Sequence, residues 1–130
     1  MRDVVILGVG MTKFGKFPEL GLKDLGRAAC WEAIKDAGVS PRDIQAGYVA
    51  NAIGGMLTGQ TMVCGQVILR EVGIVGIPIV NCENACSSGS TAFREAWMAV
   101  QAGYCDIAIA VGVEKEYVSD SKKTVEAIAG

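Results

Sequence analysis

The sequence predicts an α/β fold built around a mixed, mainly parallel sheet. Three observations carry this reading. Apolar runs of strand length alternate with helical stretches, in the order strand, helix, strand, helix, strand, helix, strand. The last of these strands, Asp106 to Gly112, is apolar nearly throughout, as strands covered on both faces are. The 17 glycines fall largely at the junctions, where tight turns need them. At 130 residues and 51% apolar composition the chain reads as one domain, residues 1–130, with right-handed crossovers.

Each element has its own local grammar. Val4 to Val9 reads as a buried first strand, and Gly8-Val9-Gly10 as a glycine-rich loop leaving it. A dinucleotide fingerprint fails there, because Lys13 stands where the third glycine belongs. Leu22, Leu25, Ala29, Ala33 and Ala37 form an apolar stripe at helical spacing, closed by Gly38. Ser40-Pro41-Arg42-Asp43 has the cap and proline of a short helical turn. Tyr48 to Ile53 then reads as a strand ended by Gly54-Gly55, and Met56 to Gln60 as a loop. Thr61 to Val72 is expected to be helical, Ile79 to Cys82 a strand, and the stretch from Cys86 to about Ala102 a long helix. No clear closing element is legible in the charged tail from Glu114 to Gly130.

Composition narrows the function. The net charge is −2 and nothing concentrates Lys or Arg into a stripe, so nucleic acid is not an expected partner. No apolar run approaches the roughly 20 residues of a membrane span, and the N-terminus does not read as a signal peptide. Five cysteines, without a CxxC pair and without any histidine, fit neither a disulfide framework nor a zinc site. Buried thiols in a reducing cytoplasm are the expectation for Cys30, Cys64, Cys82 and Cys105.

Cys86 stands apart. It opens the first turn of the long helix that follows the strand Ile79–Cys82, and the positive end of a helix favours negative charge on a thiol placed there. Ser87, Ser88, Gly89 and Ser90 follow it and are small enough to let a ligand or backbone come close. Within the helix, Phe93, Trp97 and Val100 make a bulky ridge and Ala92, Ala96 and Ala99 a smooth one. A helix this apolar around its circumference is expected to be covered on more than one side. With no histidine, the usual general base is missing from the chain.

The run Asn84-Ala85-Cys86-Ser87-Ser88-Gly89-Ser90-Thr91-Ala92 resembles the nucleophile motif of thiolases, especially the sterol-carrier-protein-2 type, and the chain resembles the first half of such enzymes nearly end to end. The resemblance implies a thiolase-like half with the nucleophile helix in a central layer. It implies an acyltransferase in which Cys86 takes the acyl group from an acyl-CoA, its backbone N–H helping to hold the oxyanion, with Ser87, Ser88 and Gly89 beside the substrate. Claisen condensation with acetyl-CoA, or thiolysis of a 3-ketoacyl-CoA in reverse, would follow. Coenzyme A thioesters are then substrates, and no cofactor or metal is expected. The same resemblance implies a C-terminal half, in this or another chain, that brings histidines and a second cysteine. It further implies a homo- or hetero-oligomer, and in some relatives a small acyl-CoA-binding zinc-ribbon/OB-fold partner. The region Met56 to Gln60 would belong to the subunit interface and active-site wall. A β-ketoacyl synthase, a hydroxymethylglutaryl-CoA synthase and a non-catalytic assembly subunit are the alternatives.

Overall fold

A computed structural model describes residues 2–130. In chain order the elements are α1 (Leu22–Ala37), a 3-10 turn (Pro41–Asp43), β1 (Ala46–Ala50), α2 (Gly54–Thr58), α3 (Cys64–Arg70), β2 (Ile79–Cys82), α4 (Ser88–Gln101), β3 (Ala108–Gly112) and α5 (Ser121–Ala129). The three strands form one parallel sheet in the order β2-β1-β3. Gly47 pairs with Ile79 on one side and with Ile109 on the other. All five residues of β1 are buried, as a central strand covered on both faces requires.

The two faces of the sheet follow from the two-residue period of its strands. Val49, Ile109 and Val111 face α1 and α3, where they join Leu22, Ile34, Ile68 and Leu69 in the main apolar cluster. Ala46, Tyr48 and Ala50 face α4 and pack with Ala92 and Ala96. Gly47 points at α3, where a Cβ would come within 2.5 Å of Leu69 Cδ1, so a side chain there would force Leu69 to shift. Helix α1 starts with the Gly21 N–H donating to the Asp24 carboxylate (2.9 Å) and stops at Gly38, whose φ of +67° is left-handed. The Ser40 turn is capped as its sequence predicts, with Ser40 N–H donating to Asp43 Oδ2 (2.7 Å) and Arg42 N–H to Ser40 Oγ (3.3 Å).

Five expectations change. Residues 4–9 are not a buried strand: Val5 and Ile6 are 71% and 67% exposed, and the segment joins no ladder. Instead it lies along α1. Val9 N–H donates to Asp36 Oδ2 (2.9 Å) and Met11 N–H to Glu32 Oε2 (3.0 Å). A Cβ on Gly8 would come within 2.6 Å of the Ala33 carbonyl oxygen, so this glycine permits backbone-to-backbone contact with the helix. The strand expected at Tyr48–Ile53 spans Ala46–Ala50, because Asn51 turns the chain: its Oδ1 accepts from Gly55 N–H (3.1 Å) and its Nδ2 donates to the Val113 carbonyl (2.8 Å). Gly54-Gly55 accordingly opens α2 inside the supposed loop. The helix expected from Thr61 begins only at Cys64, after Val63 in the left-handed region (φ +50°). Finally, the tail forms α5, capped by Asp120, whose Oδ1 accepts from Lys122 N–H (3.1 Å).

Candidate active site at the Cys86 turn

β2 ends at Cys82, and five residues carry the chain into α4. Their path is fixed almost entirely by hydrogen bonds within the turn. Ala85 N–H donates to Glu83 Oε1 (2.7 Å), Ser87 N–H to the Asn84 carbonyl (2.9 Å) and Ser88 N–H to the Ala85 carbonyl (3.1 Å). Ala85 itself has a φ of +46°, a conformation that costs a non-glycine residue roughly 1–2 kcal/mol and persists where surroundings impose it.

The Ser88 side chain imposes much of it. This hydroxyl is buried, accepts from Asn84 N–H (2.7 Å) and donates to the Ala85 carbonyl (2.7 Å), clasping both sides of the strained residue. Thr91 adds a second clasp, donating from Oγ1 to the Ser87 carbonyl (3.1 Å) and accepting from Asn84 Nδ2 (3.1 Å). Ser88 was expected beside the substrate; its hydroxyl shapes the turn. Ser87 is exposed at the N-cap position without a side-chain cap bond. Gly89 is exposed, and a Cβ on it would meet nothing within 4 Å, so nothing in this chain's own packing demands a glycine there.

Cys86 precedes the first helical residue by two positions, so it sits just outside α4 rather than in its first turn. It is exposed, whereas Cys30, Cys64, Cys82 and Cys105 are buried. Burial pushes the Cys30 thiol up to about 12 and raises those of Cys64, Cys82 and Cys105, with the Glu114 carboxylate adding to the rise at Cys64 and the Glu95 carboxylate at Cys82. These four stay protonated and shielded near neutral pH. Cys86 is the thiol that an electrophile in solution can reach.

Beside the turn, Cys82 and Glu83 line a cavity of about 220 Å³ together with Asn51, Gln60 and Asn81; Cys86 is not among its walls. Glu114, which the sequence reading passed over, fixes one wall. Its carboxylate accepts from Ala52 N–H (2.9 Å), Ile53 N–H (3.1 Å) and Asn51 Nδ2 (3.0 Å), tying the β1–α2 junction to the end of β3. Lys115 was missed as well: it is buried, and its Nζ donates to the Phe17 carbonyl, holding the segment before α1 to the same strand end. The available signal was a pair of charges directly following an apolar strand. On the far side of the turn, the alanine ridge of α4 lies on the sheet while Phe93, Trp97 and Met98 are exposed. Among the described residues, no three His, Cys, Asp or Glu side chains converge as metal ligands would, and no helix is long and apolar enough to cross a membrane.

The strand–turn–helix bearing Cys86 sits within a chain whose residues 4–130 match the family model "Thiolase, N-terminal domain". The chain belongs to the thiolase family. It is 43% identical over 115 residues to an acetyl-CoA acetyltransferase of Methanothermobacter thermautotrophicus, covering 88% of this chain and 30% of that one. To a benzoylsuccinyl-CoA thiolase subunit of Thauera aromatica it is 41% identical over 130 residues, 98% of this chain and 32% of the relative. The Ascaris suum Acat5 thiolase, solved in complex with coenzyme A, superposes with a TM-score of 0.81 at 28% identity over 90% of this chain and 32% of that one. The thiolase-like half expected from the sequence is thus found, and the chain spans about a third of the length of the relatives it matches.

Proposed function

We propose that this chain is the nucleophile-bearing domain of a thiolase-type acyl-CoA acyltransferase, with Cys86 as the nucleophile. The single observation that carries this reading is the exposed Cys86 thiol on a turn braced from both sides, in a chain of the thiolase family. In the first half-reaction the Cys86 thiolate attacks the thioester carbonyl of an acyl-CoA. The tetrahedral intermediate collapses by breaking the bond to the coenzyme A sulfur, which leaves as a thiolate, and the acyl group remains on Cys86 Sγ. The Cys86 backbone N–H, near the start of α4, would donate to the oxyanion that forms in between. Ser87 and Gly89, both exposed, would border the substrate, and Ser88 would hold the turn.

The second half-reaction needs groups this chain lacks. Its sequence has no histidine to move the proton, and its exposed α4 ridge calls for a covering layer. We assign both to a C-terminal thiolase portion, within the same polypeptide or in a partner. With that portion present, acetyl-CoA would supply the carbanion for condensation, or free coenzyme A would cleave a 3-ketoacyl-CoA. The named acetyltransferase relative favours acetyl-CoA as one of the two thioesters. The test is acyl transfer in the assembled enzyme: mass spectrometry after mixing with acetyl-CoA should place one acetyl group on the Cys86 peptide. Cys86→Ala should abolish that label and lower turnover more than about a thousandfold. An acetyl label on Cys86 that never turns over, or none at all, would reject the reading.

A further inference from the structure

β2 is an edge strand of four residues, and the chain leaves the sheet at its last residue, Cys82, to form the Cys86 turn. Among the described residues, the hydrogen bonds of residues 83–87 stay within the turn and the first turn of α4. The last rung joining this strand to the rest of the sheet is Asn51 N–H donating to the Cys82 carbonyl (3.3 Å). We propose that Glu114 is a positioning residue for acyl transfer: by holding Asn51, it fixes the strand end from which the Cys86 turn springs. With Cys86 as the nucleophile, the reading on which this role rests, Glu114 acts at a distance and through Asn51.

The Glu114 carboxylate is surrounded by donors. Oε2 accepts from Ala52 N–H (2.9 Å) and Ile53 N–H (3.1 Å), and Oε1 from Asn51 Nδ2 (3.0 Å) and Lys115 N–H (3.3 Å). Every partner is an N–H, so both oxygens must accept, which a carboxylate does and an amide of the same shape does not. Asn51 is gripped elsewhere as well: Nδ2 also donates to the Val113 carbonyl (2.8 Å), and Oδ1 accepts from Gly55 N–H (3.1 Å). One asparagine therefore ties together the ends of all three strands and the start of α2. It reaches β3 through Val113 and Glu114, β2 through Cys82, and β1 by directly following it. Gly54 leaves the room this needs. A Cβ there would come within 2.5 Å of Glu114 Oε1 and 2.7 Å of Asn51 Nδ2, so a side chain would displace the pair. Asn51, Cys82 and Glu83 line the same cavity of about 220 Å³, so on that side the strand end meets open space and not packed side chains. A displacement of about 1 Å at a reacting group can cost on the order of a hundredfold in rate, so a small shift of this strand end would register at Cys86.

The test uses the assembled enzyme, with whatever polypeptide completes it, and compares Glu114→Gln with Gly54→Ala. The first removes an acceptor without changing shape; the second moves the carboxylate without changing its charge. Each should slow acetylation of Cys86 by acetyl-CoA by about tenfold or more, with the KM for acetyl-CoA held within about twofold. Alkylation of Cys86 by iodoacetamide, which needs no alignment with an oxyanion donor, should change by less than about twofold. The double variant should be no more than about threefold slower than the slower single one, because both changes break the same contact. Loss of stability alone would lower the amount of Cys86 that reacts and leave its rate untouched, so rate and amplitude are read separately. Hydrogen exchange supplies a readout without acetyl-CoA: amides of residues 83–87 should exchange about tenfold faster in both variants, with those of α1 unchanged. An unchanged acetylation rate, a raised KM at intact rate, additive effects in the double variant, or unchanged exchange at residues 83–87 each overturn the role. So does failure of both variants to assemble, which would make the pair a support of the fold and not of the turn. If the unaltered enzyme takes no acetyl group, the functional reading fails alone, and the exchange measurement still decides whether Glu114 holds the turn.

Discussion

The two faces of the sheet are unequal. Against α1 and α3 lie large aliphatic side chains, with Ile68 and Leu69 wholly buried and Val49 and Ile74 nearly so. Against α4 the contact is made by Ala46, Ala50, Ala92 and Ala96 around Tyr48 and Cys82, while the large side chains of that helix turn outward. One face is a finished core. The other is a close, thin contact, with apolar bulk left over for a further layer. The Cys86 turn sits at the end of the thin face, where the C-terminal portion proposed above would arrive.

The largest way to test this contrast is on the finished face. Ile68→Ala should cost about 2–5 kcal/mol in denaturant-unfolding measurements, because the site is wholly enclosed and packed around Gly26 of α1. A loss below about 1 kcal/mol would mean that this face is not the main source of stability.

Cys30 provides a second probe of the same face. Its thiol ionises near 9.0 when unfolded and is pushed up to about 12 by burial, so the folded state holds the proton more tightly. The resulting stability is fully present below pH 9 and drains away as pH rises toward 12. Cys30→Ala should blunt this alkaline loss by on the order of 2–4 kcal/mol at the top of the range. Cys64, Cys82 and Cys105 are shifted the same way, so the limb should shrink rather than vanish. Identical alkaline melts for the two proteins would contradict the assigned burial.

At the edge of the thin face, Ser88→Ala leaves the Asn84 N–H without its acceptor and frees the strained Ala85, at a cost of about 1–3 kcal/mol. Because Ser88 is assigned to the turn and not to the substrate, its loss should slow acylation of Cys86 with little change in the KM for acyl-CoA. A rise in KM with acylation rate intact would return Ser88 to the substrate-contacting role expected from sequence.

Why the sequence showed some of this and hid the rest follows from the range of the interactions. The Cys86 turn was legible because its determinants lie within eight residues, Asn84 to Thr91, and bond to one another. The α1 stripe and the Ser40 cap were legible for the same reason. Residues 4–9 misled because their composition reports a strand's burial, while the ladder partner that would realise it is not supplied by α1, β1 or any other described element. Glu114 was invisible because its partners, Asn51 to Ile53, lie about sixty residues away in sequence. The onset of α4 at Ser88 rather than Cys86 depends on the left-handed Ala85, which no propensity for alanine anticipates.

The smallest expected effect on stability is also the one that separates the faces most cleanly. Trp97 is 40% exposed and Phe93 52%, so truncating either to alanine removes apolar surface that water already reaches. Each change should lower the unfolding free energy of the chain by no more than about 1 kcal/mol, well below the Ile68→Ala loss. For association with the C-terminal portion the ranking of the two sites should reverse. A large aromatic at the centre of a buried contact can carry 2 kcal/mol or more of binding, so Trp97→Ala should weaken assembly by roughly thirtyfold or more, while Ile68→Ala acts on folding first. Sedimentation of the assembled enzyme across a concentration series, beside denaturant unfolding of the same variants, reads both quantities. If Trp97→Ala unfolds the chain as readily as Ile68→Ala does, the outward ridge is part of a core already complete, and no covering layer is needed. If it leaves both folding and assembly unchanged, the covering layer binds elsewhere.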